Sequence, residues 1–241
     1  MTLTEKRGFS SFALRMLALV FMLLDHAWFA LAKPAMPWMT CAGRLAMPLF
    51  AFLIAEGCVH TSNFKKYALR LLVFGVISEI PFNLLTMSNF LNPTHQNVMF
   101  TLFLGLVSLR VLLWAKQERT LGAFAAAIAL FAAAFLAADV LYLDYGGMGV
   151  TMVVLFGLSR QLPYKLLWQT VGLVLISAMI PGRSIMIGSV VFPIQYFSVL
   201  SMLFISLYNG KKGAASKLLQ YGAYWFYPVH LGALAVLRYL T

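Results

Sequence analysis

The chain has 241 residues, 62% of them hydrophobic and 10% charged, whereas soluble domains carry about 25% charged residues. A chain this apolar needs lipid as its solvent. The net charge of +11 is spread singly or in pairs between apolar runs rather than over one basic face, which argues against a nucleic-acid partner. At roughly 20 residues per span the length holds about eight to ten helices and leaves no room for a soluble domain, so a single transmembrane domain is expected.

The first predicted span, 10–32, follows Glu5-Lys6-Arg7. It is too long for a cleaved signal core and no small-residue cleavage site follows, so it reads as a retained anchor. It carries Asp25-His26, about 24 Å from its start. The second span, 41–59, opens on Gly43-Arg44 and ends near Glu56, His60 and Thr61. Cys41 and Cys58 lie on it about 25 Å apart, too far to bridge, and read as core residues. The third, 67–87, has Arg70 one turn in, then Glu79, Pro81 and Asn83. His95 and Asn97 precede or open the fourth, 97–115. The fifth, 121–143, is Ala-rich, which permits close helix packing. The sixth, 147–159, is short enough to tilt or re-enter. Spans at 164–180, 185–208 and 218–240 complete the chain, the last with Pro228 and His230.

The expected fold is therefore all-α, a polytopic bundle of about nine transmembrane helices. With a cytoplasmic N-terminus, the inner segments hold Lys6, Arg7, Lys65, Lys66, Lys116, Arg119, Arg160, Lys165, Lys211, Lys212 and Lys217. The outer segments hold Lys33, Arg183 and Arg238, a positive-inside bias that leaves the C-terminus outside.

Ionisable groups in hydrocarbon are costly and mark candidate sites. Asp25, His26, Arg44, Glu79, Asn83 and Asn97 come from four spans to one level near the outer face. Glu56, His60, Arg70 and His230 form a lower tier, and together the tiers outline a polar column. His26 has the chemistry of a general base near neutral pH. Asp25 reads either as the ion-pair partner of Arg44 or as part of the reacting cluster. Adjacent helix residues diverge by about 100°, so Glu79 is the better acid to orient His26. Glu56 has His60 and Arg70 as possible partners, and His95 reads as a solvated loop residue. Metal-ligand spacing, phosphate loops and nucleophile elbows are absent from the sequence.

Several stretches resemble the TraX family: 19–26 (LVFMLLDH), 43–57 (GRLAMPLFAFLIAEG), 61–72, 77–83 (ISEIPFN), 97–105 (NVMFTLFLG) and 220–231 (QYGAYWFYPVHL). The middle, 116–215, matches mainly by hydropathy and by Gly147-Met148-Gly149. The resemblance implies an acetyltransferase of the bacterial inner membrane, since TraX proteins are known for N-acetylating pilin. It also implies a distant relation to membrane acyltransferase family three. Those relatives use a His near the end of the first helix and an Arg followed by a Pro, positions that His26 and Arg44 with Pro48 resemble. Acetyl-CoA would be the co-substrate, without a metal. The acceptor would be an amine or hydroxyl on pilin, a glycan or a small molecule at the outer side. The expected catalytic set is His26, Asp25, Arg44 and Glu79, with Arg44 or Asn83 at the oxyanion. Asn83, Asn97, His230 and Glu56 are expected to contact substrate. Arg70, Lys66 and Lys65 are expected at the CoA phosphates, although the two lysines also fit ordinary topology and membrane-lipid contact.

Two readings from other classes compete. Buried Asp, His and Glu also build proton-coupled transporters or flippases, although no inverted repeat is evident. A structural subunit of a larger assembly would not require such a cluster.

Overall fold

The structure is a computed structural model in which residues 8–213 and 217–240 are described. Glu5, Lys6 and Arg7 lie outside them, as do the side chains of Lys217 and Gln220. Helix α1 (Ser11–Ala27) starts on a cap in which Ser10 Oγ accepts from the Ala13 N–H at 3.2 Å. It widens into a π turn, Trp28–Ala32, directly after Asp25-His26. The second span begins earlier than the sequence implied and is interrupted. Helix α2 (Pro37–Gly43) opens on Pro at its first position, the chain turns at Arg44 and Leu45, and α3 (Ala46–His60) follows.

Helix α4 (Phe64–Met87) is capped by Asn63 and contains Pro81. Helix α5 (Val98–Glu118) is capped by Asn97 and α6 (Leu121–Val140) by Thr120. Helices α7 (Gly146–Ser159) and α8 (Lys165–Met179) are shorter.

The predicted helix over 185–208 is replaced by three elements. Strands β1 (Ser184–Ile187) and β2 (Val190–Pro193) pair antiparallel, with Ile185 opposite Phe192 and Met186 opposite Val191. Gly188, at φ +62°, supplies the left-handed residue of the two-residue turn. A 3-10 helix (Ile194–Leu200) and α9 (Ser201–Ser206) follow. A continuous apolar run does not distinguish helix from strand, and here the β-branched residues and the Gly-Ser turn prevail. Helix α10 (Lys217–Leu240) closes the chain.

The expectation of about nine spans therefore resolves more finely. Five described helical segments are long and apolar enough to cross a membrane: Ser11–Ala32, Pro37–His60, Phe64–Met87, Val98–Glu118 and Leu121–Val140. The shorter apolar helices are Gly146–Ser159, Lys165–Met179 and Ile194–Ser206. Helix α10 is long enough, at 24 residues, but its first half is rich in Tyr and Trp. The chain is a membrane protein by this measure. Pro37–His60 is its central element, with 72% of its apolar window buried inside the bundle, against 22% for the peripheral Leu121–Val140.

The two ends of the bundle are tied across the sequence. At one end Phe9 bridges Tyr208, and Arg160 reaches Glu56. At the other, Gln96 bridges Leu143. The first end collects the loops with Lys65, Lys66, Arg119, Arg160, Lys211 and Lys212. The second collects Lys33, Arg183 and Arg238. These are called the inner and outer ends below, following the charge.

Candidate active site

At the outer end, α1 and α10 bring two histidines into contact. His26 Nδ1 lies 2.7 Å from His230 Nε2, and the rings stack with centroids 5.0 Å apart. His230 Nδ1 lies 2.7 Å from the Phe226 carbonyl oxygen, which only accepts. With both rings neutral, His230 carries its proton on Nδ1 and accepts at Nε2. The His26 Nδ1–H then donates to it, and the lone pair of His26 falls on its Nε2. His230, which the sequence reading placed in the lower tier, thus belongs to the outer cluster.

Asp25 turns away from this pair. It accepts from Thr40 Oγ1 at 2.6 Å and from the Arg44 guanidinium, forming an ion pair. Gly43 makes room for this contact, because a Cβ there would collide with the Asp25 side chain.

Glu79 holds α4 to α5. Asn83 Nδ2 donates to it at 3.1 Å and Asn97 Nδ2 at 2.5 Å, while Asn97 also donates to the Gly75 carbonyl at 2.8 Å. Among the described residues no hydrogen bond joins this carboxylate to either histidine, so the partner that orients His26 is His230. His95 sits in the loop before α5 and pairs with Asp144 at 3.7 Å. That carboxylate raises the His95 pKa above its ordinary value.

An outer cavity of about 540 Å³ adjoins the cluster, lined by Asp25, Trp28, Thr40, Arg44, Asp139, Asp144, Tyr145, Arg183 and Gln195 among others. His26 and His230 are not among its lining residues, although His26 lies between two of them, Asp25 and Trp28, in the chain. A second cavity of about 460 Å³ opens at the inner end, lined by Arg15, Glu56, His60, Tyr67, Arg70, Tyr208, Lys212, Tyr221 and Tyr224 among others. The Arg70 guanidinium lies 5.8 Å from the ring centroids of both Tyr67 and Tyr224. Lys65 and Lys66 are exposed beside this cavity and do not line it. Glu56 accepts from Arg160 Nε at 2.6 Å and meets His60 at 3.5 Å, so Arg160 takes the place proposed for Arg70.

The two cavities share no lining residue. Buried Ala18 and Met22 on α1, Leu49 on α3 and Tyr227 on α10 separate them. The polar column is therefore two chambers with a packed layer between. Tyr224 at the inner wall and His230 are six residues apart on α10, a rise of about 9 Å.

A family model described as TraX protein matches residues 10–238. The chain belongs to the TraX family. The match carries the TraX resemblance through the middle of the chain, which mainly hydropathy and Gly147-Met148-Gly149 had joined to it. Over 246 aligned positions the chain is 32% identical to the probable fimbrial assembly protein FimC, serogroup H1, of Dichelobacter nodosus, covering 94% of each. No solved structure matches this TraX protein.

Sequence reasoning missed Arg15 and Lys212 at the inner cavity and Trp28 and Gln195 at the outer one. Arg15 had a usable signal: it stands eleven residues before His26, about three helical turns, so both share one face of α1. The charge bias placed Lys212 at the inner end but not at a cavity, and Gln195 had no signal, because these positions follow from how distant helices dock.

Proposed function

We propose that this TraX protein is a multi-pass acyltransferase of the bacterial cytoplasmic membrane. It moves an acetyl group from cytoplasmic acetyl-CoA to an amine or hydroxyl presented from the opposite face, in the assembly or modification of fimbriae or pili. The observation that carries this reading is the chain Phe226 carbonyl, His230, His26, which leaves a basic nitrogen on His26. The reading extends to TraX proteins the chemistry of membrane acyltransferase family three.

Acetyl-CoA is anionic, and Arg15, Arg70 and Lys212 at the inner cavity supply cations for its phosphates. Tyr221 and Tyr224 supply aromatic faces for the adenine, and Lys65 and Lys66 raise the local positive potential. The reaction requires the packed layer to part so that the acyl-pantetheine arm reaches the outer cluster. There the acceptor attacks the thioester carbonyl as His26 Nε2 takes its proton. The carbon–sulfur bond then breaks, and the departing CoA sulfur takes that proton back from His26. His230 holds the His26 ring and accepts from the Nδ1–H as charge develops. Arg44, anchored by Asp25, places positive charge near the developing oxyanion. Glu79, Asn83 and Asn97 brace the wall, and Glu56 with Arg160 braces the inner mouth.

The test uses purified protein in detergent with radiolabelled acetyl-CoA and amine or hydroxyl acceptors. His26→Ala is expected to lower transfer by about 10²-fold or more, the usual worth of a general base. His230→Phe is expected to lower kcat while leaving the KM for acetyl-CoA unchanged. Full transfer by His26→Ala removes the assignment. Ligand-driven proton flux in liposomes without transfer replaces it with the transporter reading.

A further inference from the structure

Three side chains that line the outer cavity carry a buried N–H without an acceptor among the described residues: Trp28 Nε1, Arg44 Nε and Gln195 Nε2. Trp28 and Gln195 are 8% and 3% exposed. Buried donors are nearly always satisfied, so three around one chamber call for an acceptor inside it.

The charge around them has the same sign. Lys33 Nζ lies 5.9 Å and the Arg183 guanidinium 5.0 Å from the Trp28 ring centroid. Neither makes an ion pair with a carboxylate among the described residues. Burial, then the positive charges of Arg183 and Arg238, lower the Lys33 pKa. The carboxylates of the same chamber are already engaged. Asp25 is held by Arg44 and Thr40, Asp139 accepts from the Gly147 N–H at 2.8 Å, and Asp144 faces His95. What is left over is positive charge and N–H donors.

We propose that the outer cavity is the acceptor site and that the acceptor carries an oxyanion, a carboxylate or phosphate, beside the group that is acylated. Trp28, Arg44 and Gln195 hold its oxygens, and Lys33 with Arg183 draws it in at the mouth. This rests on the acyltransferase reading, in which His26, the neighbour of Asp25 on α1 though not itself in the cavity lining, takes the acceptor's proton.

The experiment titrates inorganic phosphate into the purified protein by calorimetry at constant ionic strength, with chloride as the reference anion. Saturable binding is expected. It weakens by about tenfold or more in Arg183→Gln and Gln195→Glu, each of which removes a charge-assisted contact or adds a repulsion. Arg183 is exposed, so its variant tests the site without straining the fold. No saturable binding, or binding unchanged in both variants, overturns the inference. So does binding lost only in Arg70→Gln, which would put the anion at the inner cavity. Nanodiscs separate the sources: binding abolished by phosphatidylglycerol but not by phosphatidylcholine makes the occupant a lipid headgroup and overturns the acceptor assignment. Acetyl-CoA binding is followed in the same samples. Its survival without a phosphate site sinks only this inference. Phosphate binding without transfer to any acceptor sinks the enzyme reading instead.

Discussion

A histidine among apolar helices has two nitrogens to satisfy, and the nitrogen left free defines what it can do. For His26 that choice is made 204 residues away in the chain, by His230. With both rings neutral, the outcome is a donor at Nδ1 and a free lone pair at Nε2. His26 itself stood out in the sequence as a titratable group in an apolar run. Its partner did not, because hydropathy gives depth along one helix but not which faces meet. The Asp25–Arg44 pair was legible as one alternative, since both lay at similar depth on adjoining spans. His95 offers a test at this scale. Asp144 raises its pKa in the folded protein, so the pair stabilises fully at pH below the unfolded value of about 6.5. That contribution disappears as pH rises through the folded value. The melting temperature of the native protein should therefore exceed that of His95→Gln most at pH below the unfolded value of about 6.5 and converge with it as pH rises through the raised folded value. A difference independent of pH would mean that the pair carries no charge.

Elements meet where small residues allow it. Helices α5 and α7 cross with Gly105 against Val153 and Gly157 against Leu109, and a Cβ at Gly105 would lie 2.8 Å from Val153. Helix α6 turns buried Ala123, Ala127, Ala134 and Ala138 toward its neighbours, as its Ala-rich sequence implied. Gly105→Val should cost about 1–3 kcal/mol of stability by overpacking, read as a lower denaturation midpoint in detergent. Gly122→Ala on α6 has open space around it and should leave the midpoint unchanged or raise it slightly. Equal effects would place the two crossings elsewhere. The hairpin of β1 and β2 was the element least legible in advance. Met186, Ile187, Val190 and Val191 form an apolar run on both sides of a turn, and hydropathy alone scored that run as a span.

At the scale of the whole molecule, the asymmetry of charge between the ends is the clearest inheritance from the sequence. Lys65, Lys66, Arg160, Lys211 and Lys212 gather at the end that holds the cavity with Arg15 and Arg70. The proposed function takes that end as cytoplasmic, on the positive-inside rule, and so as the side that meets acyl-CoA. Cys41 and Cys58 are both buried and free, which leaves a quiet background for labelling. In intact cells an impermeant thiol reagent should reach Ser184→Cys and should reach Ser62→Cys only after the membrane is opened. The reverse pattern would invert the protein and remove acetyl-CoA from the cavity assigned to it.

Composition and periodicity determined that this chain lives in lipid, where most of its helices lie, which end is basic and which residues are too polar to be idle. Those properties are local, set by the cost of placing each residue in hydrocarbon. The tertiary structure decided the rest: His230 as the partner of His26, Arg160 as the partner of Glu56, two chambers instead of one column, and a hairpin in place of a helix. These depend on the rotation and docking of helices about their axes, which lateral packing and hydrogen bonding select and which no single segment encodes.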